Sequence, residues 1–211
     1  MVVAGGVDMA HPDDVLNFWF ADALEAPKLA SARGAIWFGT SPAVDSEIWE
    51  EFADVVSDAS EGHYEDWLQT ARGRLALIIV LDQFPRNIYR GTAEVYRYDP
   101  LALQLAQAGV ALGQLVGLEV PEQAFFLMPY QHAEDIEVQR TGVALMQALV
   151  SEAPDGWKEV AEGYTGFAVR HHDIVAYYGR FPHRNKILGR HSTTAESRFL
   201  SEGGESFGQA G

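Results

Sequence analysis

Residues that favour helix N-termini precede amphipathic stretches throughout this chain, and no other feature constrains the fold as strongly. His11-Pro12, Ser41-Pro42 and Asp99-Pro100 each place a candidate N-cap before a proline, which fits the first turn of a helix. Thr193 and Glu196 have the spacing of a capping box. No stretch shows the sustained period-two alternation of a half-buried strand. The chain is therefore predicted to be all-α.

The apolar spacing after these starts predicts the individual helices. The first starts at His11 and carries the apolar residues Val15, Leu16, Phe18, Trp19 and Phe20. The others cover 41–59, 64–82 with a break near Thr70 and an end near Phe84, 99 to about 115, a short helix 122–127, 133–152, 157–178 and 193–200. We expect one domain over residues 10–202, with seven to nine helices packed as antiparallel pairs in a bundle or short solenoid. Residues 1–9 and 203–211 are predicted to be loose.

The overall composition excludes several classes of partner and cofactor. The chain has 15 basic and 30 acidic residues, a formal net charge of −15, so it should repel nucleic acid. It has no cysteine, which excludes disulfides, thiolate zinc sites and iron–sulfur clusters. No signal peptide or membrane-spanning stretch is visible, so a cytoplasmic location without a membrane partner is expected. The oligomeric state stays open.

Two segments of this acidic chain carry a net positive charge. Residues 72–97 have five basic against two acidic residues, and residues 170–198 have six against two. Each contains a copy of one motif, Phe84-Pro85-Arg86-Asn87 with Arg90, and Phe181-Pro182-His183-Arg184-Asn185 with Arg190. Arginine offers a planar fork of donors that suits carboxylates and phosphates. The two motifs either form an anion-binding recess or pair with carboxylates such as Asp82, Asp135 and Asp173 to hold loops on helices.

Histidines mark two further candidate regions. His132-Ala133-Glu134-Asp135 is predicted to open the long helix, where carboxylates suit the helix dipole; alternatively, His132 and an acidic neighbour form an acid/base pair or ligate a metal. His171-His172-Asp173 is similar to the His-Asp pair of metal-dependent phosphohydrolases, but no Asp follows Asp173 to supply a last ligand. We therefore expect one of these two histidines to face solvent and the other to be hydrogen-bonded at the core edge. No metal and no cofactor are predicted.

We expect the two arginine motifs and the His132 segment to converge on one pocket. Its predicted ligand-binding residues are Arg86, Asn87, Arg90, Tyr130, Gln131, His132, Arg180, His183, Arg184 and Asn185. The favoured function is binding of a small anionic molecule or an acidic peptide end. One alternative is an enzyme with catalytic candidates His132, Glu134 and His183, in which Arg86 and Arg184 stabilise charge. Another is a protein-interaction scaffold.

Long ordered motifs give the chain a family resemblance over about residues 10 to 207. They are residues 15–20 (VLNFWF), 37–39 (WFG), 72–79 (RGRLALII), 81–87 (LDQFPRN), 128–135 (MPYQHAED), 179–185 (GRFPHRN) and 187–190 (ILGR). Together they resemble the bacterial family called domain of unknown function 924, with mild departures at Gln131 and Ala133. The resemblance implies a tetratricopeptide-like all-helical fold. It implies no activity, so no catalytic residue is carried over.

Overall fold

The computed structural model describes residues 10–208, and their regular structure is helical. The α-helices are α1 (Pro12–Phe20), α2 (Pro27–Trp37), α3 (Pro42–Ser60), α4 (Ala71–Ile78), α5 (Phe84–Ile88), α6 (Asp99–Ala111), α7 (Val120–His132), α8 (Ile136–Glu152), α9 (Lys158–Tyr178) and α10 (Thr194–Ser201). A π-helical turn, Ile79–Gln83, joins α4 to α5 without a break. With 71–88 counted as one helix, residues 10–208 form nine helices and no strand, which confirms the predicted all-α domain.

Side-chain caps hold most of the predicted helix starts. The ring of His11 accepts from the Asp13 amide, and Ser41 accepts from the Val44 amide. Thr193 and Glu196 form the predicted capping box, with hydrogen bonds of 3.2 and 2.7 Å. Asp99 differs, because it is the first residue of α6 and Tyr98 is the N-cap. Its carboxylate makes no cap and pairs with arginines instead.

Helix α2 was not anticipated from the sequence. It buries only Ala30 and Trp37, so it lacks the apolar stripe that would reveal it. Tertiary hydrogen bonds fix it against α1, because Arg33 Nε and Trp37 Nε1 both donate to the Trp19 carbonyl, at 3.2 and 2.9 Å.

The prediction that a helix ends near Phe84 is wrong, because the helical backbone continues to Ile88. Phe84 keeps helical dihedrals (φ −60°, ψ −40°) although Pro85 follows it. Its amide donates to the carbonyl of Ile79, five residues back, as in a π turn. The wider turn lets Pro85 lie in the first turn of α5, where a missing N–H is tolerated. Arg86 therefore lies on a helix and not on a loop.

A second proline also fails to end a helix. α7 runs from Val120 through Pro129 to His132, whereas the sequence predicts a helix over 122–127 only. Nearly every residue of α7 is buried, so tertiary packing outweighs the cost of the internal proline. The long helix then begins at Ile136 with Asp135 as its N-cap, not near Ala133. Glu134 consequently lies in a loop, where it reaches other elements.

The core surrounds the helical stretch 71–88. Residues 73–85 are all buried, and this stretch packs against α1, α3, α6 and α7. Trp19 contacts Phe84 and Phe125 edge to face, at centroid distances of 5.7 and 5.5 Å. A smaller apolar cluster of Ile174, Val175 and Phe181 lies under the second motif. Each motif thus has its own apolar support.

Consecutive helices α7, α8 and α9 pack on one another across short connections, which is the antiparallel pairing expected. Contacts also join α1 to α4 and α2 to α9. A solenoid unit contacts only its neighbours, so these distant contacts favour the bundle over the solenoid. The tetratricopeptide-like arrangement stays a prediction.

The last described residues fold back over the protein. Arg170 Nε pairs with Glu205 at 2.9 Å, and the ring of Phe207 stacks on His171 with 3.6 Å between centroids. Residues 1–9 and 209–211 lie outside the described residues. The predicted looseness of both termini stays a prediction.

Candidate functional site

A cavity of about 340 Å³ lies where α5, the end of α7, α9, the second motif and the C-terminal segment meet. Its lining includes seven of the ten predicted ligand-binding residues: Arg86, Asn87, Arg90, Gln131, His132, His183 and Arg184. The further lining residues are Trp37, Phe38, Gly39, Gln83, Tyr96, Met128, Tyr164, Phe167, His171 and residues 205–208. The fold thus brings the two motifs and the His132 segment to one place.

The remaining predicted residues do not line this cavity but support its walls. Tyr130 is buried against Gly142 of α8, where an added Cβ would lie 2.6 Å from the Tyr130 Cβ. Asn185 donates to Ser192 at 3.1 Å, and Arg180 forms a two-pronged pair with Glu196 at 2.6 and 2.8 Å. The catalytic candidate Glu134 accepts from the Phe181 amide at 2.7 Å and also pairs with Arg190. These contacts shape the loop of the second motif.

In the first motif, both arginines are held by carboxylates, Arg86 by two of them and Arg90 by one. Arg86 Nη1 and Nη2 donate to the two oxygens of Asp99 at 2.9 and 3.1 Å, and Nη1 also lies 3.5 Å from Asp82. Arg90 binds Asp45 through Nε and Nη2 at 2.9 and 3.0 Å. The pKa of Arg86 is raised, because the charges of Asp82 and Asp99 outweigh the burial that alone would lower it.

Arg184 of the second motif has a weaker partner. It lies 3.4 Å from Asp99, the carboxylate that Arg86 already holds at shorter distance. Its guanidinium lies 4.2 and 4.5 Å from the ring centroids of Tyr96 and Phe181, in cation–π geometry. The residue is 6 % exposed, and burial lowers the pKa of its guanidinium.

His132 forms a buried dyad with a carboxylate. Its Nδ1 lies 2.8 Å from Oδ1 of Asp82, which is fully buried. Burial alone would raise the pKa of Asp82, but Arg86 and His132 hold that pKa well below its usual range. The carboxylate is therefore ionised and accepts from Nδ1–H, which leaves Nε2 of His132 to exchange protons. Burial and then the Arg86 charge lower the pKa of His132, so the ring is neutral near pH 7.

Two further neutral imidazoles share the cavity. His171 Nδ1 donates to the Phe167 carbonyl at 2.8 Å, and the centroid of its ring lies 5.8 Å from that of His132. Burial lowers the pKa of His171 well below its usual value. Burial and, as the second cause, the charge of Arg184 lower the pKa of His183 to about 3. The neighbouring His172 is partly exposed beside Asp173, as the sequence suggested for one member of this pair.

Several buried polar atoms around the cavity have no hydrogen-bond partner among the described residues. They are Tyr96 Oη, Gln131 Oε1, His183 Nδ1 and Arg184 Nε. An unsatisfied buried donor or acceptor costs about 1–3 kcal/mol, and such atoms are scarce in folded proteins. All four atoms belong to residues that line the cavity.

Sequence reasoning missed the carboxylates that organise the site. Asp82 was considered only as an arginine partner and Asp99 only as a helix start, yet they connect His132, Arg86 and Arg184. The aromatic wall formed by Trp37, Phe38 and Phe167 also went unpredicted, because core spacing and cavity lining look alike in a sequence. Asp82 lies two residues before Phe84 of the first motif in LDQFPRN, which is the one signal that could have revealed it.

Over residues 10–208, no group of three or more His, Asp and Glu side chains is placed to hold a metal ion. Within the same residues, every helix is too short or too polar to cross a membrane.

Comparison with known proteins places the chain in a family. The model for "Bacterial protein of unknown function (DUF924)" matches residues 15–204. A solved structure titled as a protein of unknown function, ATU0120 from Agrobacterium tumefaciens, shares 35% identity with a TM-score of 0.77, over 91% of this chain and 97% of that chain. No curated protein matches the chain. The family match spans most of the sequence, including both arginine motifs and the His132 segment, so the chain belongs to the DUF924 family of bacterial proteins.

Proposed function

We propose that the cavity binds a small molecule that carries one anionic group, a carboxylate or a phosphate, on an apolar body. The observation that carries this proposal is the state of Arg184. Its guanidinium is buried in the cavity wall, shares Asp99 with Arg86, and has an Nε without a partner among the described residues. An anion that accepts from Nε and a terminal nitrogen would complete the fork geometry of this side chain.

The remaining walls fit the rest of such a ligand. Trp37, Phe38, Phe167 and Phe207 present aromatic surface, while Gln131 and His183 each have a polar atom without a partner in the described part of the chain. A cavity of about 340 Å³ lies at the lower end of the size range of small-molecule sites, about 300–1,000 Å³. A small ligand suits this space better than a peptide end.

Three probes of similar shape test the proposal: 3-phenylpropanoate, phenyl phosphate and the uncharged 3-phenylpropanamide. We expect the two anions, but not the amide, to raise the melting temperature, since a ligand that binds only the folded state stabilises it. Isothermal titration calorimetry then gives the affinities.

Arg184→Gln should abolish the response to the anions. The matched control is Arg97→Gln. Arg97 lies in the basic segment 72–97, but its side chain is exposed and pairs with Glu94. Equal stabilisation by the amide, or an unchanged anion response in Arg184→Gln, would contradict the proposal.

A second candidate is an enzyme that uses the same cavity, and the His132–Asp82 dyad favours it. A neutral imidazole oriented by a buried carboxylate is the arrangement of a general base, and Arg184 would stabilise negative charge that develops nearby. A broad substrate screen comparing wild type with His132→Gln and His183→Gln tests this candidate. An activity that survives both substitutions would rule out these catalytic roles.

A further inference from the structure

We propose that the anion enters this cavity together with one proton, which His132 takes up, so that the site recognises a weak acid and not a bare anion. This inference rests on the proposed function and specifies how the same site accommodates a buried negative charge.

The argument begins with a chain of charges that cancel. His132 contacts Asp82 at 2.8 Å, Asp82 contacts Arg86 at 3.5 Å, and Arg86 contacts Asp99 at 2.9 Å. Asp99 in turn contacts Arg184 at 3.4 Å. Counted over the described residues, two carboxylates and two guanidinium groups leave this network neutral while His132 is neutral. The third arginine of the cavity, Arg90, is balanced by Asp45.

A bound anion would upset this balance. Placed on Arg184, it would leave one uncompensated negative charge in a region where the charged groups are almost wholly removed from water. An isolated buried charge is so unfavourable that nearby titratable groups change protonation instead. The proton therefore accompanies the anion, and the question becomes which group holds it.

His132 is the group best placed to hold the proton. Asp82 stays ionised beside Arg86, whereas an imidazolium at His132 would face the Asp82 carboxylate directly. The other two imidazoles lack such a partner, since His171 faces a backbone carbonyl and His183 Nδ1 has no partner among the described residues.

The charged and titratable groups around His132 come from every neighbouring element. They are Asp82 in the π turn, Arg86 on α5, Asp99 on α6, His171 on α9, His183 and Arg184 in the second motif, and Glu205, which pairs with Arg170, in the C-terminal segment. Arg86 opposes protonation of His132, and Asp82 and Asp99 favour it. A bound anion adds negative charge near His132 and therefore favours its protonated form.

The inference fixes the sign of the pH dependence. Binding raises the pKa of His132, so protons are taken up at any pH between the free and bound values. The dissociation constant should then increase with pH by up to about tenfold per unit over that interval. A carboxylate ligand itself titrates near pH 4 and is ionised near pH 7.

Calorimetry of 3-phenylpropanoate binding in Bis-Tris and Tris, two buffers without an anionic group, at equal pH measures the proton directly. The observed enthalpy should change with the ionisation enthalpy of the buffer with a slope close to one proton per ligand. The slope should fall to near zero in His132→Gln and remain in His172→Gln, a matched control at a partly exposed histidine.

Imidazole NMR shifts of the wild-type protein provide a second measurement if His132→Gln does not fold. The His132 resonance should titrate at higher pH with the probe bound. Binding with a zero slope, or uptake that His132→Gln retains and His183→Gln loses, would overturn the inference and leave the proposed function intact. Absence of binding at every pH would overturn both.

Discussion

The two copies of the Phe-Pro-Arg-Asn motif have similar residues but different surroundings. The first lies on helix α5, and Arg86 fills both oxygens of Asp99. The second lies on a 3₁₀ turn, and Arg184 reaches the same Asp99 from 3.4 Å while stacking between two rings. One motif therefore anchors the fold, and the other leaves the Nε of a cavity-lining arginine without a partner among the described residues. The comparison shows that backbone context, not the motif itself, assigns the role.

The largest effect is expected where the two copies meet, at Asp99. Asp99→Asn removes the carboxylate that Arg86 and Arg184 share, so two buried guanidinium groups lose their common partner. We expect a loss of about 3–5 kcal/mol in the free energy of unfolding, the range for breaking a buried ion pair. Urea denaturation measures it.

Glu94→Gln is the control for Asp99→Asn, because Glu94 forms an exposed pair with Arg97 and its loss should cost less than about 1 kcal/mol. Similar losses in the two variants would show that Asp99 does not connect the motifs.

Separate replacements of Arg86 and Arg184 test whether the first motif contributes more to stability than the second. Arg86→Met should cost about 3 kcal/mol, because it leaves Asp82 and Asp99 with fewer partners in a buried network. Arg184→Met should cost only about 1 kcal/mol, because it removes one long contact and a stacked cation. Denaturant midpoints of the two variants at pH 7 provide the test, and an equal or reversed order would remove the distinction between the motifs.

The extra residue of the second copy, His183, should make stability depend on pH. Burial and the charge of Arg184 lower its folded-state pKa to about 3, whereas an unfolded histidine titrates near 6.5. Below pH 6.5 the unfolded chain therefore binds a proton that the folded chain excludes, and stability falls as the pH falls.

Between pH 7 and pH 5 this difference contributes a loss of about 2 kcal/mol. His183→Gln should lose correspondingly less than wild type over that interval in parallel denaturation curves, and His172→Gln should behave like wild type. Identical pH profiles for His183→Gln and wild type would show that His183 is not held neutral.

The smallest expected effect concerns Phe207 of the C-terminal segment, whose ring contacts lie at the second copy. Phe207 stacks on His171 and contacts the edges of Phe181 and His183. Because its ring is only partly buried, Phe207→Ala should cost about 1 kcal/mol of stability and open the cavity to the probes. Stopped-flow measurements of probe association test whether the cavity opens, and Phe207→Ala should bind the probes faster than Val116→Ala, a control at an exposed residue. Unchanged rates would show that the C-terminal segment does not limit access to the cavity.

Local features of this chain were predictable because a few neighbouring residues encode them. Ser41 and Thr193 cap helices with their own backbone neighbours, and the apolar spacing of α3 and α9 reports their buried faces. Predictions that depended on proline failed at Pro85 and Pro129, where a π turn and dense burial override the local preference. The same limit hid α2, which is held by tertiary hydrogen bonds and not by an apolar stripe.

The residues that define the cavity came from the sequence only in part. Charge counting along the chain located both arginine motifs, and the spacing of Pro129 and His132 marked the third segment. Charge counting could not distinguish an anion-binding recess from structural ion pairs. The structure contains both a cavity and ion pairs, because Arg86 and Arg90 are held by carboxylates while still lining the cavity.

The amino-acid order alone is enough to establish an all-helical chain with two basic motifs and a family membership. Helix periodicity and capping act over three to five residues, so they can be recognised without coordinates. Which carboxylate meets which arginine is decided across long separations, 50 residues for His132 and Asp82 and 85 for Arg184 and Asp99. Packing of the buried helices brings these groups together, and their mutual distances set both their charges and which polar atoms of the cavity residues stay without a partner among the described residues.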